Sequence, residues 1–461
     1  MKFCEFVTEY DDSLSGDSYI DPLGVRVIWS TFGQRVFKSR VNSISNDVRN
    51  YTINLLNHAI VRALIDDDSV TVSPALEREI GEKHSLSFRQ ACLIYLENLI
   101  TFIVVEAGES VDASGILGGS KAHQRLDNDT NPLITLSHVG KHQLLVRQLG
   151  LGVSGRYKTP FRALNFFNDH YDYHASPVIE ETWQDAQAFI AGCAPLNAWY
   201  CECKVHLDAL IGGATNKSRV PPGTTLSEVP ESLKDACRQA FSSPQRVGDL
   251  SRTFWLKVTG LDRDAAGALL AELETAIKPN QGLSTEALVR AAQNRLQAHA
   301  ETEKALLTNI AVIEPLLAEA DLLFTLACQC KSQSLSDIEQ HWHHYGRDAE
   351  TLPRLADAIK RTPEIAAALT STAFGRYQQL MALAQKTSLE AQLIGLLGYH
   401  ALVMRQRGQL PWVKLWGDRV AVQARTTTPP DRNKRPVGQW VNSYYIPQFT
   451  NLAKGFYGCA S

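Results

Sequence analysis

The chain has 461 residues, and its 46 Lys and Arg nearly balance 49 Asp and Glu, leaving a net charge of −3. Hydrophobic residues make up 44% and charged residues 21%, which excludes a disordered chain and predicts two or three folded domains. A near-neutral total also excludes a uniformly basic, histone-like protein, so any nucleic-acid contact must be a local patch.

The first residues turn acidic at once and hold no apolar run of signal-peptide length. Nine scattered cysteines, an odd number, then predict free thiols in a reducing, cytoplasmic compartment. Val25-Arg-Val-Ile-Trp29 alternates as a strand does, with turn chemistry at Phe32-Gly33. Ser45 reads as a helix cap before an apolar stripe of Val48, Tyr51, Leu55, Ala59 and Ile60, and Asp66-Asp67-Asp68 closes that helix. A second helix is predicted over 87–107. Its apolar run over 92–107 is interrupted by Glu97 and Asn98 and is too short for a bilayer, so it reads as a buried core helix.

Two glycine-rich turns follow, Gly115-Ile-Leu-Gly118-Gly119-Ser120-Lys121 and Gly150-Leu-Gly152-Val-Ser-Gly155-Arg156-Tyr157-Lys158. Short strands are predicted near 133–136 and 143–149. Two helices, two short strands and a basic turn give a small mixed α/β domain over 1–175 with a winged-helix-like order. Helices near 182–191 and 196–210 form a linker region over 176–230, ended by the Pro/Gly/Ser-rich break at 212–230.

Beyond residue 230 the pattern is a helical bundle, with helices predicted at 262–277, 284–313, 315–330, 336–344, 362–369 and 388–406. Ser336 with Glu339 suggests a capping box, and Pro315 a break or kink. Trp412–Trp416 and Arg419–Gln423 alternate on either side of Gly417-Asp418, the signature of a hairpin. The fold class is therefore mainly α: the mixed N-terminal domain, then a bundle over 231–461 ending in a β-hairpin. A basic arm with Arg425, Arg432, Lys434 and Arg435 leads to the aromatic cluster Trp440, Tyr444, Tyr445, Phe449 and Phe456.

The glycine turns suit an anion, because freed N–H groups and nearby cations favour phosphate. Gly150, Gly152 and Gly155 match G-x-G-x-x-G, yet Pro160 disfavours the helix a dinucleotide site needs. Lys158-Thr159 come two residues too late for a P-loop. A polymer backbone fits better. Between residues 120 and 165, seven cations (Lys121, Arg125, Lys141, Arg147, Arg156, Lys158, Arg162) face only Asp127 and Asp129, a local net of +5, with Tyr157 interleaved. Arg425, Arg432, Lys434 and Arg435 form a second basic surface.

Metal chemistry is the competing reading. His170, Asp172 and His174 would share a face of an extended segment, with ligands acceptable to zinc or manganese. Cys193, Cys201, Cys203 and His206 lie close in sequence but lack knuckle spacing. No nucleophile elbow or other catalytic set emerges, and no cofactor is expected. The sequence thus favours a non-enzymatic DNA-binding or scaffold subunit of a prokaryotic nucleic-acid-processing complex, such as one in phage defence. DNA is preferred over RNA, other protein subunits are expected as partners, and no membrane is. A metal-dependent nuclease or hydrolase and a pure protein-interaction subunit are the alternatives.

Overall fold

Long runs of Leu, Ala, Ile and Val, several of them opened by a capping side chain, give a mainly helical protein with five short strands among the described residues. The computed structural model describes residues 21–214, 221–277, 283–296, 300–424 and 426–457. They form two compact units. The larger comprises Gln34–Lys304 and Tyr445–Ser461, and the smaller Met1–Gly33 and Ala305–Tyr444. The boundaries expected at 175 and 230 both fall inside the larger unit.

In the larger unit, helix α1 (Val48–Asp66) begins at Asp47, whose carboxylate accepts the Arg49 N–H at 2.8 Å. The cap is thus two residues beyond the expected Ser45, and nearly every side chain of α1 is buried. Helix α2 (Leu86–Glu106) is capped by Ser85, which accepts from the Phe88 N–H at 3.1 Å. It is long and apolar enough to cross a membrane, yet it lies buried within the protein as a core helix. Around α1 an aromatic core assembles from Tyr51, Tyr157, Phe161, Phe166 and Trp255, with successive rings in edge or tilted contact. Trp255 Nε1 donates to Thr52 Oγ1 at 2.9 Å, so the ring is fixed at both its faces and its polar edge.

Helix α3 (Gly119–Asn128) follows, then strand β1 (Leu133–Thr135). Its partner is β2 (Gly223–Thr225), antiparallel with Leu133 opposite Thr225. No wing forms, because β2 comes from the stretch expected to be a linker. The second expected strand is replaced by turns: Gln148 Oε1 accepts the Leu144 N–H and Gln143 Oε1 accepts the Gln148 N–H, both at 2.8 Å. Side chains here satisfy the backbone that a ladder would have used. Helix α4 (Pro244–Thr259) starts at Ser243, carries proline at its first turn and packs on α1.

The smaller unit opens with a helix, Arg26–Val36, where alternation suggested a strand. The Asp21 carboxylate accepts the Val25 and Arg26 N–H groups at 3.0 Å each, a local cap that overrides the β-branched pattern. The long helix α5 (Glu301–Ala327) enters this unit and runs through Pro315 without the expected break. A capping box does open Leu335–His344, built from Ser334 and Asp337 rather than Ser336 and Glu339. Helix α6 is Leu389–Gln406. The hairpin forms as expected, β4 (Val413–Trp416) pairing with β5 (Arg419–Val422), and β3 (Ser332–Ser334) joins as a third strand in the order β3-β5-β4.

Two carboxylates on α5 hold the basic tail. Glu314 accepts from the Val441 and Asn442 N–H groups, the Asn442 amide and the Tyr444 hydroxyl, at 2.6 to 2.9 Å. Glu319 receives both ends of the Arg347 guanidinium at 2.9 and 2.8 Å, and the Gly438 N–H at 2.8 Å. The tail therefore wraps its own bundle, with Trp440 and Tyr444 in ring contact as anchors.

Next on α5, burial lifts the Asp321 carboxyl from 3.8 to about 6, helped by Glu314 and Asp21 and opposed by Arg435. Folding thus retains a proton that the unfolded chain loses near pH 4. Stability from this group is full below that pH and is lost as pH rises through about 6. Asp321→Asn is expected to stabilise the protein by up to about 3 kcal/mol at pH 8 and to change little below pH 4. Urea unfolding at the two pH values checks this.

Candidate functional site

Both glycine turns are filled from within the protein. At the first, Gly115 has φ 79°, and a side chain there would meet Asp47 Oδ2 at 2.6 Å. The buried Arg49 guanidinium is held by Asp47 and donates to the carbonyls of Asp112 and Ser114, while the Asn50 amide donates to Gly115 O at 2.8 Å. The carbonyls leading into this turn face an internal cation, and that of Gly115 faces an internal amide. The turn also lines a cleft of about 380 Å³ with Ser243 at the start of α4 and Lys454. Asp47 and Asp112 line the same cleft, so a phosphate there would face two carboxylates.

At the second turn the group held is the Glu97 carboxyl, buried on α2. The Ser154 N–H donates to Glu97 Oε1 at 2.7 Å and the Gln148 amide to Oε2 at 3.0 Å, with the Val153 N–H adding to the cradle. Gln148 also donates to Asn98 Oδ1 at 2.9 Å. A Cβ on Gly152 would lie 2.2 Å from Glu97 Oε2, so only glycine allows this approach. Burial pushes the Glu97 carboxyl above the ordinary range, and the donated hydrogen bonds oppose that rise. The N–H groups of the turn hold a carboxyl that belongs to the protein itself. Its signal in the sequence was Glu97-Asn98 interrupting an otherwise apolar helix.

The eight residues expected to touch nucleic acid divide into two groups. Tyr157 is fully buried, with its hydroxyl donating to Ile44 O at 3.0 Å and its ring edge-on to Tyr51, so it presents no face to a base. Arg156 Nε donates to Leu151 O at 3.0 Å, and Lys158 donates to Asp169 O while lying over Tyr171. Arg162 pairs with Asp169 at 2.8 Å.

The other four remain available. Lys121 and Arg125 are one turn apart on α3, and among the described residues the side-chain bond of the pair is from Lys121 to Gln124 at 3.4 Å. Arg125 and Lys141 line a cleft of about 290 Å³ with His142, Asn128 and Asp129. Leu144 and Leu145 lie against the start of α3 at Gly118, which brings the exposed Arg147 to the same region. None of the four forms an ion pair with a described residue.

The second basic surface is smaller than expected. Arg425 lies outside the described residues. Arg435 is buried, donating to Ala318 O and Gln439 O at 2.7 Å each, and so braces the core instead of facing solvent. Arg432 and Lys434 stay exposed, Arg432 beside His344.

The His/Asp candidate set does not converge. The segment is not extended, because Tyr171 turns it at φ 55°. His174 instead joins an ionic cluster: it bonds to Glu180 and to Asp66 at 2.9 Å, and Arg62 bridges Glu180 at 2.6 Å. Cys203 is buried while Cys201 is exposed, and His206 bonds to the Tyr95 hydroxyl at 2.7 Å. Among the described residues no three His, Cys, Asp or Glu side chains gather as a metal set. The seven described cysteines are free thiols. No protein-family model matches this chain, and neither a curated protein nor a solved structure matches it, so its function is argued from its own residues.

Proposed function

We propose that the protein is a non-catalytic, cytoplasmic subunit of a larger assembly that holds a nucleic-acid backbone on the face around α3, duplex DNA being the first polymer to test. The observation that carries this reading is the set Lys121, Arg125, Lys141 and Arg147, gathered around one short helix without carboxylate partners among the described residues. Unpaired cations at a surface gain from phosphate contact through counterion release, whereas cations already bonded internally must first break those bonds. Arg156, Lys158 and Arg162 are of the second kind.

Fluorescence anisotropy with labelled duplex DNA and single-stranded RNA tests this. Replacing the four free cations by alanine together is expected to weaken DNA binding about tenfold or more, and to reduce the salt slope by about 3. The triple variant Arg156→Ala, Lys158→Ala, Arg162→Ala is expected to change affinity by no more than about threefold. Wild-type affinity in the fourfold variant would show the surface to be wrongly assigned. No binding at low salt would leave a protein-interaction subunit as the better reading.

A further inference from the structure

In the smaller unit, α6 and β4 enclose an open apolar groove of about 520 Å³. Ile394, Leu397, Gly398 and Ala401 form its helical wall, an i, i+3, i+4, i+7 stripe of the kind that normally meets a partner element. Val413, Leu415 and Trp416 supply the other wall. Trp416 is 67% exposed, and Leu410 just before the strand is 87% exposed. Large apolar side chains grouped this way mark an interaction surface.

The strand beside this groove is an edge. β4 pairs with β5 on one side, and no described residue pairs with its other side. Unpaired edges recruit further strands, and proteins that do not use them blunt them with proline, bulges or cover. Here Pro411 precedes the edge and Lys414 lies on it, yet the edge still presents Leu415 and Trp416.

We infer that this groove docks an extended, acidic segment of a partner protein, which adds to β4 as a fourth strand and places alternate apolar side chains against α6. Charge decides the partner's chemistry. Lys414 lines the groove, Arg405 stands one turn beyond Ala401, Lys386 lies over Gly395, and Arg419 is opposite Trp416. Arg419 has Asp337 and Asp418 beside it and Glu390 sits in the first turn of α6, so the cationic character belongs to the lining itself, where Lys414 is the charged side chain. A second copy would bring to the groove a β4 that carries Lys414 and no carboxylate, which disfavours self-pairing. This inference is independent of the basic face around α3 and stands or falls separately from it.

Fluorescein-labelled synthetic peptides of about ten residues, alternating leucine with glutamate or leucine with lysine, test it on the full chain by anisotropy. The glutamate peptide is expected to bind saturably and the lysine peptide at least about tenfold more weakly. Leu415→Glu and Trp416→Glu, each at an exposed position, are expected to abolish binding without moving the thermal melt. Lys414→Glu with Arg405→Glu is expected to invert the preference between peptides. Equal binding of both peptides, or binding of neither, would overturn the proposal. So would a reversible dimer in sedimentation that Trp416→Glu dissolves, because the occupant would then be a second copy.

Discussion

Glu97→Leu is expected to destabilise the protein by about 3 to 5 kcal/mol, because a buried acceptor is removed while its donors stay behind. The Ser154 N–H would lose its partner and the Gln148 amide would keep only Asn98 Oδ1, both inside the core. Gly152→Ala attacks the same contact from the other side. Its Cβ would overlap Glu97 Oε2 and also lie 2.8 Å from Gln148 O, which is backbone and cannot swing away. Glu97→Gln separates charge from shape. Burial already drives Glu97 toward its neutral form, so the neutral isostere is expected to cost only about 1 kcal/mol. The pH dependence follows with a definite sign. A raised carboxyl confers stability that is complete below the ordinary carboxylate range and declines as pH rises through the folded value, and the Gln variant should lose that decline. Urea unfolding followed by tryptophan fluorescence measures all three variants. A Leu variant as stable as wild type would remove Glu97 from its role as the anchor of the glycine turn.

The contrast between the seven cations of 120–165 and their fates explains what a sequence can and cannot convey. Local net charge is a property of one segment, and the count of +5 stands. Whether a cation faces solvent depends on a second residue, and Arg162 could be paired with Asp169 only once the chain had turned between them, at Asn165 with φ 59°. The same distinction separates the hairpin at 413–422, legible because its turn and alternation are local, from β2, whose partner β1 is remote. Strongly periodic helices such as α1, α2 and α6 were legible for the same reason, α3 and α4 were not anticipated, and caps slipped by two residues where Asp47 and Ser334 outcompeted nearby serines. The strand expected at 25–29 failed because one carboxylate, Asp21, caps two backbone donors. Glu97 was visible as an interruption in α2, but nothing local says that Gln148 and Ser154 answer it.

Breaking the Arg347–Glu319 pair tests the parallel device in the smaller unit. Both side chains are essentially inaccessible, at 2% and 0% exposure. Arg347 also donates to Arg435 O at 2.8 Å and Pro436 O at 2.9 Å, so one guanidinium joins α5 to the tail. Arg347→Met is expected to cost about 3 to 5 kcal/mol, since it removes the two-point partner of Glu319, leaving the Gly438 N–H and the Arg435 guanidinium 3.8 Å away, and strands the tail carbonyls. The double variant Arg347→Met, Glu319→Leu removes both charges and is expected to recover a substantial part of that loss. Buried ion pairs are often worth little against an apolar pair of similar volume, so the recovery measures specificity rather than strength. Limited proteolysis supplies the local readout: cleavage within 431–442 should accelerate in the single variant more than in the double. If both variants release the tail equally, the carbonyl bonds of Arg347 hold it and the charge pairing does not. If neither does, Glu314 alone suffices, through the four bonds it accepts from Val441, Asn442 and Tyr444.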